Sequence, residues 1–200
     1  MPENNPITGI ILAGGKGLRM GGVEKGLLVL DGKPLIEHVI ARIRPQVGPI
    51  IINANRHLDR YARYGYPLAQ DLWPDFRGPL AGLLSALPLV RTPYILCVPC
   101  DAPFLPDDLT RRLMVALEAE QAQVSAATVA GDLQAVCFLA RREALDDLQD
   151  YLGSGQRKVQ DWLAARRLAI TDFSDCAMAF ANINTRGELQ QAAVNRPIWP

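Results

Sequence analysis

The sequence has no excess of charge of either sign. Its 200 residues include 21 lysines and arginines and 21 aspartates and glutamates, so its formal net charge is zero. Without a global positive field, the composition does not favour binding to nucleic acid or to an anionic membrane surface. Any anion that the protein binds must therefore be held by a local arrangement of residues.

Long apolar runs and cysteines are also scarce. Runs such as residues 49–52 and 94–98 are far too short to cross a bilayer, and no signal-peptide pattern opens the chain. Four cysteines are too few to cross-link a domain of this size, so we expect a soluble cytoplasmic protein in a reducing compartment. Cys97 and Cys100 have C-x-x-C spacing, which leaves a redox site or half of a zinc site as an alternative.

The common catalytic constellations are absent as well. No Ser-His-Asp, Cys-His or H-E-x-x-H arrangement can be assembled from the chain, and neither His38 nor His57 has a partner at ligand spacing. Any catalytic residues must therefore belong to a different type of site.

A glycine-rich stretch at residues 10–25 is the strongest local signal. A short apolar run is followed by five glycines, two lysines and an arginine. The P-loop spacing is not met, and the dinucleotide pattern G-x-G-x-x-G fails because Met20 occupies its third glycine position. A buried strand leading into a cationic loop with exposed N–H groups still favours a phosphate-bearing ligand, and an ordinary flexible loop is the alternative.

Strands alternate with helices along the first two thirds of the chain. We predict strands at 49–53, 66–69 and 93–98 and helices at 35–44, 58–64, 80–89 and 107–120, after a short hairpin around Asp31 and Gly32. Weaker patterns predict strands at 124–129, 135–140 and 168–171, helices at 142–152 and 158–166, and a last helix with a capping box of Thr185 and Glu188. This alternation predicts one α/β domain over residues 1–200, with a Rossmann-like, doubly wound, mostly parallel sheet covered by helices on both faces.

Polar residues come directly after several of these strands. In an open parallel sheet, ligands bind beyond the carboxyl ends of the strands, so these are the candidate ligand-binding residues. They are Arg19 and Lys25 in the glycine loop, Asn53, Asp71 and Asp101. Asn53 and Asp71 are also residue types that end strands for structural reasons.

Asp101 is the sharpest of these candidates. Pro99 and Pro103 flank it and would restrict its position. A carboxylate facing a phosphate-binding loop would repel the ligand unless a cation lay between them, so the pattern implies Mg²⁺ at Asp101. A turn or helix-capping role is the alternative.

Together these motifs resemble a known family. The segments 12–15, 19–22 and 24–27 are similar to the signature of nucleotidyltransferases that activate a phosphorylated metabolite. The further segments 53–56, 78–82, 99–106 and 182–185 resemble the molybdenum cofactor guanylyltransferases, and the likeness extends over roughly residues 7–190.

The resemblance implies GTP as donor, the molybdopterin form of the molybdenum cofactor as acceptor, and Mg²⁺ as cofactor. By position it implies a nucleotide site of Leu12, Ala13, Gly14, Gly15, Lys25, Asn53, Asp71 and Asp101. Arg19, Lys25 and Asp101 would be catalytic, and Asp101 would bind the metal. The implied acceptor-side candidates are Gly78, Gly82, Arg157, Lys158, Asn182 and Asn184. We expect a monomer that interacts with other proteins of cofactor biosynthesis or molybdoenzyme maturation.

The sequence departs from the family pattern at two positions. Glu24 stands before Lys25 where the family usually has aspartate, and Ala135 follows Gln134 where the family tends to carry a proline. The alternatives are a relative that uses CTP or another phosphorylated acceptor, a nucleotide-binding oxidoreductase, and a non-catalytic nucleotide-binding module. Met20 argues against the oxidoreductase, and the proline-flanked Asp101 argues against binding without turnover.

Overall fold

A computed structural model describes residues 5–14, 24–73 and 78–194. Its strands are β1 (Ile7–Leu12), β2 (Val29–Leu30), β3 (Lys33–Pro34), β4 (Ile50–Asn53), β5 (Leu68–Ala69), β6 (Tyr94–Pro99), β7 (Val124–Val129), β8 (Asp132–Arg141) and β9 (Leu168–Asp172). Its helices are α1 (Leu35–Ile43), α2 (Leu58–Ala62), α3 (Pro79–Ala86), α4 (Leu109–Ala119), α5 (Leu148–Gly153), α6 (Val159–Ala164) and α7 (Arg186–Val194). No helix among these residues is long and apolar enough to span a membrane.

Seven strands form one mostly parallel sheet in the order β5-β4-β1-β6-β8-β7-β9. Strand β8 is antiparallel to both β6 and β7, and the other neighbouring pairs are parallel. The predicted α/β fold with a mostly parallel sheet is confirmed. The reversal of β8 follows from its tight connection to β7, in which Ala130 and Gly131 adopt positive φ angles of 50° and 85°.

The central strands are apolar because both faces of the sheet are covered. Neighbouring residues of one strand enter opposite cores: Ile11 and Val98 lie in the cluster beneath α1 and α4, whereas Ile10 and Cys97 lie in the cluster beneath α3 and α6. Cys100 belongs to the first cluster, so the two cysteines of the C-x-x-C spacing lie in different cores. This placement removes the basis for the redox or zinc alternative.

Two predicted helices are in part 3-10 turns. Helix α3 ends at Ala86 and continues as a 3-10 turn, because Pro88 has no N–H to extend the helical ladder. The segment predicted as one helix at 142–152 is a 3-10 turn, Arg142–Leu145, followed by α5. The break coincides with Asp146 and Asp147, whose carboxylates pair with Arg142 and Arg166.

The beginnings of α4 and α7 show two different kinds of cap. At α7 the predicted capping box is confirmed: the N–H of Glu188 donates to Thr185 Oγ1 at 3.1 Å, and Glu188 Oε2 accepts from the N–H of Thr185 at 3.0 Å. At α4, Asp108 occupies the capping position but its carboxylate pairs with Arg111. Gln46 Oε1 accepts from the N–H of Thr110 instead, so a distant residue caps this helix.

Candidate active site

The carboxyl ends of β1, β4 and β6 open into a cavity of about 620 Å³. Ten of the residues singled out in the sequence line it: Leu12, Ala13, Gly14, Lys25, Asn53, Asp71, Gly78, Asp101, Asn182 and Asn184. Gly15 and Arg19 lie outside the described residues. The fold therefore gathers most of the candidate residues at one edge of the sheet.

Strand β1 delivers the start of the glycine loop to this cavity. The N–H of Ala13 donates to the carbonyl of Asn53 at 2.8 Å, and the carbonyl of Leu12 accepts from the N–H of Cys100 at 3.1 Å. These bonds fix the loop's first residues between β4 and β6. Among the described residues the N–H of Gly14 makes no hydrogen bond, which leaves a main-chain donor for an anion.

Asn53 is packed against two glycines that admit no side chain. A Cβ atom at Gly82 would lie 2.1 Å from Asn53 Oδ1, and one at Gly14 would lie 2.9 Å from the same atom. The amide of Asn53 is 2% exposed and donates to the carbonyl of Ala69 at 3.1 Å and to Asp71 Oδ1 at 2.9 Å. Gly82 thus lies behind Asn53 rather than in the cavity wall, and Asn53 orients the carboxylate of Asp71.

Asn55 ties the same segments together, and sequence reasoning did not single it out. Its Nδ2 donates to the carbonyl of Gly14 at 3.3 Å, while its Oδ1 accepts from the N–H of Asp71 at 2.8 Å. It lies in the segment 53–56 that carries the family resemblance, but its position in that segment does not reveal a contact with a distant loop.

Lys25 and Asp101 form an ion pair in the cavity. Lys25 Nζ lies 3.1 Å from Asp101 Oδ2 and also donates to Asn184 Oδ1. The N–H of Ile183 donates to the main-chain carbonyl of Asp101 at 2.9 Å. The two side chains neutralise each other, and the segment at 182–184 is joined to both.

Glu24 is a buried carboxylate beside this pair. It is 6% exposed, accepts from the hydroxyl of Tyr61 at 3.1 Å and pairs with Arg56 at 3.1 Å. Burial raises the pKa of Glu24, while the hydrogen bond from Tyr61 and the charge of Arg56 oppose that rise. A Cβ atom at Gly26 would lie 2.7 Å from the Tyr61 hydroxyl, so the chain at Gly26 passes close over Tyr61.

The acceptor-side candidates divide into two groups. Asn182, Asn184 and Gly78 line the cavity, and Gly78 has a φ of 86° that favours glycine. Arg157 and Lys158 are not part of the described lining. The carbonyl of Arg157 lies 3.8 Å from the Cβ position of Gly78, and the carbonyl of Lys158 accepts from the hydroxyl of Tyr151.

The donor atoms at Asp101 fit Mg²⁺. Among the residues that the structure describes, no group of three or more His, Cys, Asp or Glu side chains could enclose a metal ion. Mg²⁺ retains several waters and is usually held by one or two carboxylates together with substrate phosphates, so a single carboxylate in an open cavity suits it. The amide oxygen of Asn184 lies beside the same ion pair and is a second oxygen donor.

An apolar wall from β8 was not anticipated. Leu133, Ala135, Val136 and Cys137 line the cavity together with Gln134, and their strand lies on the far side of β6 from β1. Sequence analysis predicted this strand but could not show which of its residues reach the cavity, because that depends on where β8 pairs with its neighbours.

Comparison with known proteins places these features in a family. Residues 9–170 match the MobA-like NTP transferase domain. A molybdenum cofactor guanylyltransferase from Cupriavidus necator is 48% identical over 195 residues, which cover 95% of this chain and 98% of the relative. One from Ralstonia nicotianae is 46% identical over 205 residues, covering 98% and 100%.

Solved structures share the fold. Molybdopterin-guanine dinucleotide biosynthesis protein A from Archaeoglobus fulgidus superimposes with a TM-score of 0.77 at 23% identity, covering 94% of this chain and 97% of that one. A 4-diphosphocytidyl-2C-methyl-D-erythritol synthase from Anaerococcus prevotii superimposes with a TM-score of 0.71 at 12% identity, covering 94% and 96%.

Proposed function

The chain belongs to the MobA-like NTP transferase family, and from this premise we propose that it transfers GMP from GTP to the molybdopterin form of the molybdenum cofactor. The products are the guanine dinucleotide form of the cofactor and pyrophosphate. The near full-length likeness to proteins named for this reaction supports the choice of substrates. The observation in the structure that carries the chemistry is the Lys25–Asp101 pair at the end of the glycine-loop strand and β6.

The reaction is an in-line displacement at phosphorus. A phosphate oxygen of molybdopterin attacks the α-phosphorus of GTP, a new P–O bond forms, and the bond to the bridging oxygen of the β-phosphate breaks as pyrophosphate leaves. The attacking phosphate is already an anion at neutral pH, so no general base is required. Positioning and neutralisation of charge supply the acceleration.

The candidate residues then have defined tasks. The N–H of Gly14 and the ammonium of Lys25 bind GTP phosphates, and Arg19 adds a further cation to the same loop. Asn53 and Asp71 complete the nucleotide pocket. Asp101 would hold Mg²⁺, which when bound neutralises charge on the phosphates. Gly78, Arg157, Lys158, Asn182 and Asn184 belong to the acceptor side.

The wider setting of the protein is part of the same proposal. We propose a monomer as the active form. We expect it to work in the cytoplasm and to meet other proteins of cofactor biosynthesis or molybdoenzyme maturation there.

Nucleotide selectivity tests this function. The protein is incubated with Mg²⁺, molybdopterin cofactor and each of the four NTPs in turn, and pyrophosphate release is measured together with formation of the dinucleotide product. We expect release with GTP only, and only when the acceptor is present. Release from CTP but not from GTP would overturn the guanylyl assignment, and release without acceptor would indicate hydrolysis rather than transfer.

A further inference from the structure

Strand β8 loses its partners where it borders the cavity. Its pairing with β7 shifts register, since Leu133 lies opposite Thr128 but Phe138 lies opposite Ala126. On its other side, pairing with β6 extends no further than Phe138 opposite Cys97. The intervening residues, 134–137, therefore have no register partner on either neighbouring strand. Bulges of this kind are found next to active sites, where they redirect the chain.

The main-chain N–H and C=O groups of residues 134–137 need hydrogen-bond partners other than the neighbouring strands. Residues 134–136 are half-buried, Cys137 is 3% exposed, and all four line the cavity. Main-chain N–H and C=O groups that leave a sheet must find other partners, because an unpaired buried polar group is costly. A ligand in the cavity can supply those partners.

The side chains of the segment restrict the kind of ligand. Leu133, Ala135, Val136 and Cys137 are apolar, Gln134 is the one polar side chain among them, and Phe180 adds an aromatic ring to the lining. Phosphate would need cations, and a sugar would need several polar side chains. An apolar wall whose main chain has no register partner on the neighbouring strands suits a flat, uncharged ring with a polar edge.

Two rings in the proposed reaction have the required polar edge. Guanine and the pterin both carry a 2-amino-4-oxopyrimidine edge with alternating donors and acceptors. The sheet order separates them: β4 and β1, which carry Asn53 and Gly14, lie on one side of β6 and Asp101, and β8 lies on the other. In-line attack places the acceptor phosphate opposite the leaving pyrophosphate. With the phosphates of GTP at the N–H of Gly14, on the β1 side of Asp101, the acceptor approaches from the β8 side.

We propose that the unpaired segment at 134–137 binds the pterin ring of the acceptor, with the ring against the apolar wall and its polar edge on the main chain. This inference rests on the proposed function. It adds residues of β8 to the acceptor-binding candidates Asn182 and Asn184.

Substitutions at Ala135 test the inference. Ala135→Phe fills the wall with a large side chain, and Ala119→Phe is the matched control because Ala119 is an exposed residue of α4 that does not line the cavity. We expect Ala135→Phe to raise the KM for molybdopterin by about tenfold or more while the Kd for GTP, measured by calorimetry, stays within about twofold.

A phosphate-free pterin provides a second measurement that does not depend on turnover. We expect it to bind the wild-type protein, to compete with molybdopterin but not with GTP, and to lose affinity in Ala135→Phe. A rise in the Kd for GTP with an unchanged acceptor KM would place guanine on this wall and overturn the inference. Unchanged values for both substrates, or no binding of the pterin to the wild type, would also overturn it.

The two proposals can fail separately. If the wild type binds the pterin in an Ala135-dependent manner but releases no pyrophosphate from GTP, the ring site stands and the guanylyl transfer fails. Circular dichroism and thermal unfolding establish that each variant is folded. If Ala135→Phe does not fold, Ala135→Leu takes its place with the same expected outcomes.

Discussion

Lys25 joins three parts of the chain through one ammonium group. It follows the glycine loop, pairs with Asp101 after β6 and donates to Asn184 before α7. Its side chain is 29% exposed and that of Asp101 is 12% exposed, so both remain accessible from the cavity. A triphosphate entering the cavity offers the ammonium more negative charge than Asp101 alone, and a charge-assisted bond to phosphate is the expected result.

Replacing this cation should weaken binding of the nucleotide. Lys25→Met keeps most of the aliphatic stem and removes the charge, and we expect a loss of about 1–3 kcal/mol in GTP binding, measured by calorimetry. Lys33→Met is the matched control, because Lys33 is an exposed lysine in the β2–β3 hairpin. An unchanged Kd for GTP in Lys25→Met would return Lys25 to the role of a surface lysine.

At the scale of single residues, sequence reasoning located the polar side chains at the ends of the strands. Asn53 and Asp101 were found because an apolar run ended at a polar residue, and strand ends of a parallel sheet meet at one edge. Lys25 was found as a cation of the glycine-rich loop that follows the first strand. Asn55 and Arg56 lie in the segment 53–56 that carries the family resemblance but were given no role, and Tyr61 was not singled out. Their contacts run between α2 or its preceding loop and segments far along the chain, and no local pattern encodes such contacts.

Among the helices, α2 is short and is stabilised mainly by the contacts of one residue, Tyr61. It has five residues and begins after His57, whose φ of 50° and lack of a side-chain cap bond give little local support. Tyr61 is fully buried and its hydroxyl reaches Glu24. The helix therefore depends on packing and on this hydrogen bond, and in turn it supports the residue before Lys25.

Removing the Tyr61 hydroxyl should cost stability in a pH-dependent way. Its bond favours the ionised form of Glu24, whose pKa burial already raises above the ordinary value of 4.5. The contribution of the bond is present above the folded-state pKa and is lost as the pH falls through it. We expect Tyr61→Phe to lower the free energy of unfolding by about 1–3 kcal/mol near pH 8, and by less as the pH approaches 4.5.

Urea unfolding at several pH values measures this effect. Tyr66→Phe is the matched control, since the Tyr66 hydroxyl makes no hydrogen bond with another described residue. A cost for Tyr61→Phe that grows towards acid pH would contradict an ionised Glu24 as the acceptor.

The sheet as a whole was predictable in kind but not in detail. Alternating strands and helices predicted a parallel α/β sheet, because buried central strands must be apolar on both faces. The turn at Gly131 and Asp132 between two predicted strands is typical of an antiparallel pair, as observed for β7 and β8. The loss of pairing at 134–137 was not predictable, since hydrophobic periodicity does not specify register. The apolar wall lies at this loss of pairing, so the acceptor side was the least accessible to sequence reasoning.

Binding of GTP should stabilise the whole molecule, because the cavity joins segments from β1, β4 and β6 with the segment before α7. At about one hundred times its Kd, a ligand that binds only the folded state adds about 2.7 kcal/mol. For a chain of this size that corresponds to a rise of about 5–11 °C in Tm, measured by calorimetric or circular dichroism melts in the presence of Mg²⁺. If Asp101 binds the metal, chelation of Mg²⁺ and the isosteric Asp101→Asn substitution should each reduce the rise at a fixed GTP concentration, whereas the exposed Asp132→Asn should not. A full rise in Asp101→Asn that still responds to chelation would place the metal on another residue.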